Sequence, residues 1–475
     1  MSILQLNQLA LELVARDFSD GHAPTNGGPT KTSRALAIIH LAARDAYAAV
    51  AVAAKTKEAY PPKLASMPPT PAGLSPSDAL AAALAAGLHA ATRLYPDDAA
   101  LIAKESTTLL ASGSAAALQF GRQVADAWLA SRAADKSDLP QEDALYSAEA
   151  GRHRPDPQNS AQKTLGRHWG EVTPFVLTDV ATQAFLRAPH ALGSTQYQCE
   201  YNEVYNCGRA NITTGDATFR SKAITGVFWG YDGANKIGTP PRLYNQVVTA
   251  TTEFRDLSVA DKINVLAAIN AAMADAGIAA WYWKYEHDRW RPVVGIREGA
   301  SGWGPSGAGD RATAPSDADP FWLPLGAPKS NPHFTPANGK TAPPSDANFT
   351  PNFPAYPSGH STFGSACFET FAALVNRKTD QIKFNFVSDE FNGITTDNRG
   401  VVRPRFEYRG LTLAQAIHDN SVSRIYLGVH WRDDADGGKT VGDQVAAHCI
   451  TAFKTTAMPA PASAPASKAS PPKRK

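Results

Sequence analysis

Apolar residues recur at helical spacing through residues 31–132, in a stretch dominated by Ala and Leu, and Pro-bearing breaks at 60–76 and at Tyr95-Pro96 divide it into segments. The pattern predicts an up-and-down array of helices, with Ser77 or Asp78 capping one and Asp98 opening the next. Residues 134–215 are polar, weakly periodic and read as loop. Ser258-Val-Ala-Asp261 then forms a capping-box pattern ahead of an apolar helix that Gly277 closes, and a second helix is expected over 278–290. The Gly/Pro/Asn-rich stretch 299–358 is longer than ordinary connections, and such loops are usually functional or disordered. Further helices are expected at 361–376, at 413–427 behind a Thr412–Gln415 capping box, and at 433–453. Strand signals are sparse. The expected architecture is therefore all-α, two packed four-helix-type bundles, with an N-terminal helical region over 1–215 and a C-terminal one over 216–455. The tail 456–475, rich in Pro, Ala and Ser, has the composition of a disordered end.

Composition narrows the class of partner. With 46 Lys+Arg against 44 Asp+Glu, the net charge is +2, and no basic run exceeds the last three residues, which disfavours nucleic acid. Four cysteines without a CxxC pair make neither a disulfide framework nor a thiolate metal site. His40, Arg44 and Asp45 interrupt the most apolar region, 35–54, so no membrane span is expected and the protein is read as soluble. The first residues lack the basic start of a secretory leader, so the expected location is the cytoplasm or export by a non-Sec route.

Three short segments carry candidate chemistry. In Lys284-Tyr-Glu-His-Asp-Arg-Trp-Arg291-Pro292, seven residues at ~100° each return Arg291 to within ~20° of Lys284, which places both cations on one helix face before Pro292 ends or kinks the helix. Two aligned cations suit an oxyanion, although alone such a pair is more often an ordinary solvated face. In Tyr356-Pro-Ser358-Gly359-His360, a hydroxyl, a backbone N–H and a residue that lets backbone approach closely precede a helix, and His360 follows where it can move protons. Alone, this too reads as a simple cap. In Ser423-Arg424 to His430 and Asp434, Gly428 turns a corner between helices, and Asp434 stands four residues after His430, able to accept its ring N–H. Two Arg, one Lys, a Ser-Gly helix start and two His together specify an oxyanion pocket with a ligand or nucleophile and a proton carrier.

The order Lys-x6-Arg-Pro, Pro-Ser-Gly-His, Ser-Arg-x5-His-x3-Asp resembles the signature of the superfamily that unites vanadium-dependent haloperoxidases with acid phosphatases. YDGANKIGTPP at 231–241, MADAG at 273–277, FPAYPSGH at 353–360 and SRIYLGVHWR at 423–432 look like fungal-type vanadium chloroperoxidases, and SRALAIIHLAARDAY extends the likeness more faintly toward the N-terminus. The resemblance implies a vanadate cofactor bonded through His430 and held by Lys284, Arg291, Ser358, Gly359 and Arg424. It implies His360 as acid–base residue, Asp232 paired with Arg424, Lys284 polarising the peroxide, and Trp281 with Phe353 beside the halide. The implied activity is oxidation of bromide, and of chloride, by hydrogen peroxide to hypohalous acid that halogenates a small organic acceptor. A homodimer is compatible with the sequence.

Two other readings use the same residues. A soluble acid phosphatase would attack a phosphate ester with His430 and protonate the leaving alcohol from His360. A non-catalytic phosphate-binding scaffold would keep the cations but has no need of two histidines.

Overall fold

The protein is described by a computed structural model covering residues 2–19, 24–56, 60–140, 146–210, 217–310, 318–331 and 348–454. The expected disordered tail lies outside these residues, as do parts of the 299–358 stretch. In chain order the helices are α1 (Ile3–Asp17), α2 (Gly28–Ala53), α3 (Asp78–Leu94), α4 (Ala99–Leu109), α5 (Ala115–Ser131), α6 (Val180–Gln183), α7 (Thr195–Cys207), α8 (Ala217–Phe228), α9 (Pro240–Ala250), α10 (Thr252–Arg255), α11 (Val259–His287) and α12 (Pro292–Glu298). Then come α13 (Gly359–Leu374), an antiparallel pair β1 (Lys383–Val387) and β2 (Glu407–Thr412), α14 (Leu413–Tyr426) and α15 (Arg432–Phe453).

The central helix is α11. Its sequence is apolar on every side, so it has no wet face to present, and nearly all of it up to Trp281 is buried. It packs against α2 on one side and against α13 and α15 on the other. One bundle therefore comprises α2, α3, α5 and α11; the other is built on α11, α13, α14 and α15, and the two share α11 as a wall. The main hydrophobic cluster among the described residues runs from Ile3 to Phe453, and a smaller one gathers around Tyr197, Trp290 and Trp431.

Several expectations need correction here. Gly277 does not close a helix: α11 continues through it, because the missing side chain makes room for Phe363, whose Cε1 would lie 2.9 Å from an added Cβ. The helix expected over 278–290 is the C-terminal part of α11, which stops at His287 with Asp288 in a left-handed conformation at φ 48°. Pro292 begins α12 and does not end the preceding helix, its fixed φ suiting the first helical position. Ser77 and Asp98 occupy N-cap positions without making a side-chain cap bond. The helices α1, α7 and α8 and the β1–β2 pair carry signals the reading passed over, among them the Ser2–Gln5 capping box and the alternation of buried Phe384 and Phe386.

The exclusion of membrane-length helices also fails as stated. Both α2 and α11 are long and apolar enough to cross a bilayer, yet both are buried inside the protein. The polar residues of α2 belong to a buried network. Arg44 pairs with Asp45 at 3.0 Å and donates to Asn264 Oδ1 at 2.8 Å, while Asp45 accepts the N–H groups of Lys63 and Leu64 at 2.9 and 2.8 Å. The charges therefore tie α2 to α11 and to the segment after α2.

In the C-terminal bundle α13 packs closely against α15. The contact depends on Gly438 and Gly442: an added Cβ on Gly438 would stand 2.5 Å from the Ser358 carbonyl oxygen, and one on Gly442 would stand 2.6 Å from that of Thr362. This packing brings the start of α15 alongside the start of α13. Gly438→Ala is expected to cost ~1–3 kcal/mol by overpacking and, because the clash falls on Ser358, to weaken phosphate binding as well. Chemical denaturation and isothermal titration of phosphate would check both effects.

Candidate functional site

The three motif segments meet at the junction of α11, α13, α14 and α15. Lys284 lies in the last turn of α11, and the chain then reverses at Asp288. Residues 151–153 bridge to 288–290, with His153 N–H on the Asp288 carbonyl at 2.9 Å and Trp290 N–H on that of Gly151 at 2.8 Å. This delivers Arg291 in extended backbone as the N-cap of α12. Lys284 and Arg291 thus do not share a helix face, as the spacing suggested. The turn brings them together instead.

Each cation is held differently. Lys284 Nζ donates to the carbonyls of Pro354 (2.8 Å), Ala355 (3.1 Å) and Pro357, so three acceptors saturate an ammonium. Burial, followed by the nearby Arg291, pushes Lys284 well below the ordinary lysine range. Arg291 donates from Nε to the Phe353 carbonyl at 2.9 Å and from Nη1 to that of Val429 at 2.7 Å, and burial lowers it to about 9. Arg424 makes a bidentate pair with Asp232 at 2.7 and 3.0 Å. Burial raises Asp232 and Arg424 opposes the rise.

Both histidines are fixed as to which nitrogen carries the proton. Arg291 Nη1 lies 3.0 Å from His430 Nε2, and a guanidinium can only donate, so Nε2 is an acceptor. The proton then sits on Nδ1, which is 3.0 Å from Asp434 Oδ2. Burial and then Arg291 hold His430 well below the ordinary histidine range, so it is neutral. His360 has the opposite tautomer. Its Nε2 is 2.7 Å from the Gly230 carbonyl, which only accepts, so Nδ1 is the basic nitrogen. Burial and then Arg424 keep this ring neutral too. The His360 carbonyl is itself gripped by Tyr244 Oη at 3.1 Å and Asn420 Nδ2 at 2.8 Å.

Behind His430 lies a set the sequence reading missed. Arg289 reaches Asp434 at 3.3 Å and Glu200 at 3.0 Å, and Glu200 bonds His190 Nδ1. Burial raises Asp434 to about 7, against the pull of Arg289. Only the HDRWR spacing hinted at Arg289, since an extended segment turns Arg289 and Arg291 to similar sides. Nothing local marked Glu200.

Three buried donors around this junction have no partner: Ser358 Oγ, Arg291 Nη2 and Arg424 Nε. Ser358 N–H, by contrast, is taken by the Asp434 carbonyl at 2.7 Å. Of the backbone groups expected at the Ser-Gly start, the first-turn N–H of Gly359 is left without an acceptor inside the helix. Uncompensated cations, orphaned donors and an unprotonated imidazole nitrogen fit a tetraoxo anion such as vanadate.

A cavity of about 190 Å³ opens beside this junction. Asp232, Gly359, His360, Arg424 and His430 lie along it, together with Trp281 and Phe353, whose ring centroids are 4.8 Å apart. The remaining walls come from distant segments, including Phe18, Leu165, Thr239 and Phe349.

Comparisons with known proteins show the family and the fold. Residues 264–458 match the family model of the vanadium chloroperoxidase second helical-bundle domain. The chain is 30% identical over 520 positions to the vanadium chloroperoxidase of Curvularia inaequalis, covering 92% of this chain and 80% of that protein. Among solved structures, a bacterial vanadium-dependent iodoperoxidase superposes with a TM-score of 0.65 at 21% identity, covering 94% of this chain and 95% of that one. The holo-type bacterial vanadium-dependent chloroperoxidase gives 0.61 at 17%, covering 91% and 94%.

Ser358→Ala separates stability from binding. Removing a buried hydroxyl without a partner should leave the cofactor-free protein equally or more stable, whereas loss of a bond to a charged oxygen, ~1.5–3 kcal/mol, should weaken orthovanadate binding ~10–100-fold. Thermal melts and equilibrium dialysis on the same sample measure the two.

Proposed function

The chain belongs to the vanadium haloperoxidase family, whose activity is halide oxidation with peroxide on a vanadate cofactor, and from that premise we propose that it converts bromide and chloride to hypohalous acid and so halogenates an organic acceptor. The observation that carries the reading is His430 Nε2, held unprotonated among orphaned donors beneath a cavity walled by aromatic rings.

Bound vanadate supplies a Lewis-acidic centre that activates hydrogen peroxide toward halide without changing its own oxidation state. The residues of the chain do the rest. His430 Nε2, which here accepts from Arg291 Nη1, would be the ligand atom, and Asp434 fixes its orientation through Nδ1. Arg291, Arg424, Ser358 Oγ and Gly359 N–H neutralise the oxygens, and Asp232 aims Arg424 by gripping two of its three nitrogens. Lys284, with its own donors spent on carbonyls, acts through its charge. His360 Nδ1, neutral and anchored through the other nitrogen, would serve as the acid–base group, taking a proton from hydrogen peroxide and giving it back. Trp281 and Phe353 exclude water from the halide and provide a weakly polar surface beside it.

Purified protein stripped of metal, given hydrogen peroxide with bromide, chloride or iodide, tests the proposal. Activity should appear only with orthovanadate and fall as phosphate competes. His360→Ala should lower turnover ~10²–10⁴-fold at neutral pH, and retention of most activity would remove its assigned role. No halide oxidation in any lane, beside phosphate-ester turnover that vanadate inhibits, would move the protein to the phosphatase reading.

A further inference from the structure

The two histidines are answered by different partners. His430 Nδ1 meets a carboxylate directly, in Asp434, whereas His360 Nε2 meets the Gly230 carbonyl at 2.7 Å. Asp232 lies 3.8 Å from that nitrogen, beyond hydrogen-bond reach, and is committed to Arg424. A neutral carbonyl alone is a weaker acceptor than an ion.

What stands behind the carbonyl changes the picture. A peptide group is planar, so the Gly230 C=O and the Tyr231 N–H are opposite ends of one rigid unit. Glu390 Oε1 accepts that N–H at 3.3 Å. Glu390 is fully buried, and its other oxygen accepts from Arg403 Nη1 at 2.8 Å and from Ser330 Oγ. Burial pushes this carboxyl up to about 7, with Arg403 and Ser330 opposing the rise. Two further bonds clamp the turn that carries it: Ser388 Oγ donates to the Phe228 carbonyl at 2.7 Å, and the Asp389 N–H reaches Tyr231 Oη at 2.9 Å. The clamp has something to hold, because Tyr231 is buried in the left-handed region at φ 49°, where a bulky side chain is strained.

We propose that Glu390 is the positioning residue for His360 and acts through the 230–231 peptide: its carboxylate fixes and polarises that group, so that the Gly230 carbonyl holds the His360 proton on Nε2 and leaves the lone pair on Nδ1. This rests on His360 acting as the acid–base group in the reading above. Hydrogen bonds in a chain strengthen one another, so the carbonyl that faces His360 accepts more strongly than an isolated amide. Both histidines are then governed by carboxylates, one in contact and one through a peptide.

Nitrogen NMR of isotope-labelled histidines reads the tautomers directly, in metal-free protein with phosphate bound, and His360→Ala and His430→Ala identify the two sets of signals. In the wild type His360 should carry its proton on Nε2 and His430 on Nδ1. Glu390→Gln keeps the size of the side chain but has one acceptor oxygen in place of two, so it cannot serve Arg403 and the Tyr231 N–H together. It should convert His360 to a mixture of tautomers, leave His430 unchanged, and lower kcat/KM for hydrogen peroxide about tenfold. The double variant Glu390→Gln with Arg403→Gln removes both charges of the buried pair and should give the same result where the single variant does not fold. A wild-type His360 protonated on Nδ1 would overturn the proposal, as would variants that leave the His360 signals unchanged or disturb those of His430 equally. Wild-type protein with the expected tautomers and no halide oxidation would instead indict the functional reading, because the NMR result does not depend on turnover.

Discussion

The structure is organised around positive charge buried without full compensation. Lys284, Arg289, Arg291 and Arg424 all lie within one junction and are at most 3% exposed. Asp232 answers Arg424, and Asp434 with Glu200 answers Arg289. Lys284 and Arg291 have no carboxylate in hydrogen-bond contact: they face carbonyl oxygens, a neutral imidazole and the rings of Phe353 and, for Lys284, Trp281. Isolated charge in an apolar interior is among the most costly arrangements a protein sustains. Here both are fixed by backbone carbonyls: those of 353–357 hold Lys284 and Arg291, and that of Val429 holds Arg291 as well. The loop ahead of α13 and the corner ahead of α15 are therefore set by the same groups that await the anion.

The charges also decide the state of the histidines. In water both rings would titrate near neutral pH. Inside this field protonation is opposed by burial and by the neighbouring guanidinium groups, so His430 keeps a lone pair on Nε2 and His360 one on Nδ1. Asp434 and the Gly230 carbonyl select which nitrogen that is. A residue with one role as ligand and another as proton carrier is thus specified by its hydrogen-bond partner, since the two side chains are chemically identical.

Much of the site was legible because its chemistry is concentrated in short motifs whose residues stay close when folded. Ser358, Gly359 and His360 are consecutive, and Arg424, His430 and Asp434 flank a turn that Gly428 permits at φ 71°. The Asp232–Arg424 pair came from family likeness, since nothing in spacing joins residues 192 apart. The periodic helices from α2 to α5 were visible, as were α13, α14 and α15, because amphipathic spacing and caps are local. Continuity of α11 was not visible, for a glycine that stops a helix and one that admits Phe363 look alike in sequence. The cavity wall was the least legible part. Phe18, Leu165 and Thr239 come from three separate segments, and each alone reads as an ordinary apolar or capping residue.

The unpaired donors explain why so large a scaffold surrounds so small a site. Each buried polar group without a partner costs ~1–3 kcal/mol, so Ser358 Oγ, Arg291 Nη2 and Arg424 Nε together withhold a sizeable fraction of the ~5–15 kcal/mol that stabilises a typical domain. A small fold could not hold such a site open. This one can, because α11 is buried from both bundles and the α13–α15 contact is closed by Gly438 and Gly442 to nearly backbone separation. The same rigidity keeps the donors from collapsing onto one another in the absence of an anion. Binding an oxyanion returns the withheld energy at the expense of one contact, the Arg291 Nη1 bond to His430 Nε2, and otherwise uses groups the packing already holds in place.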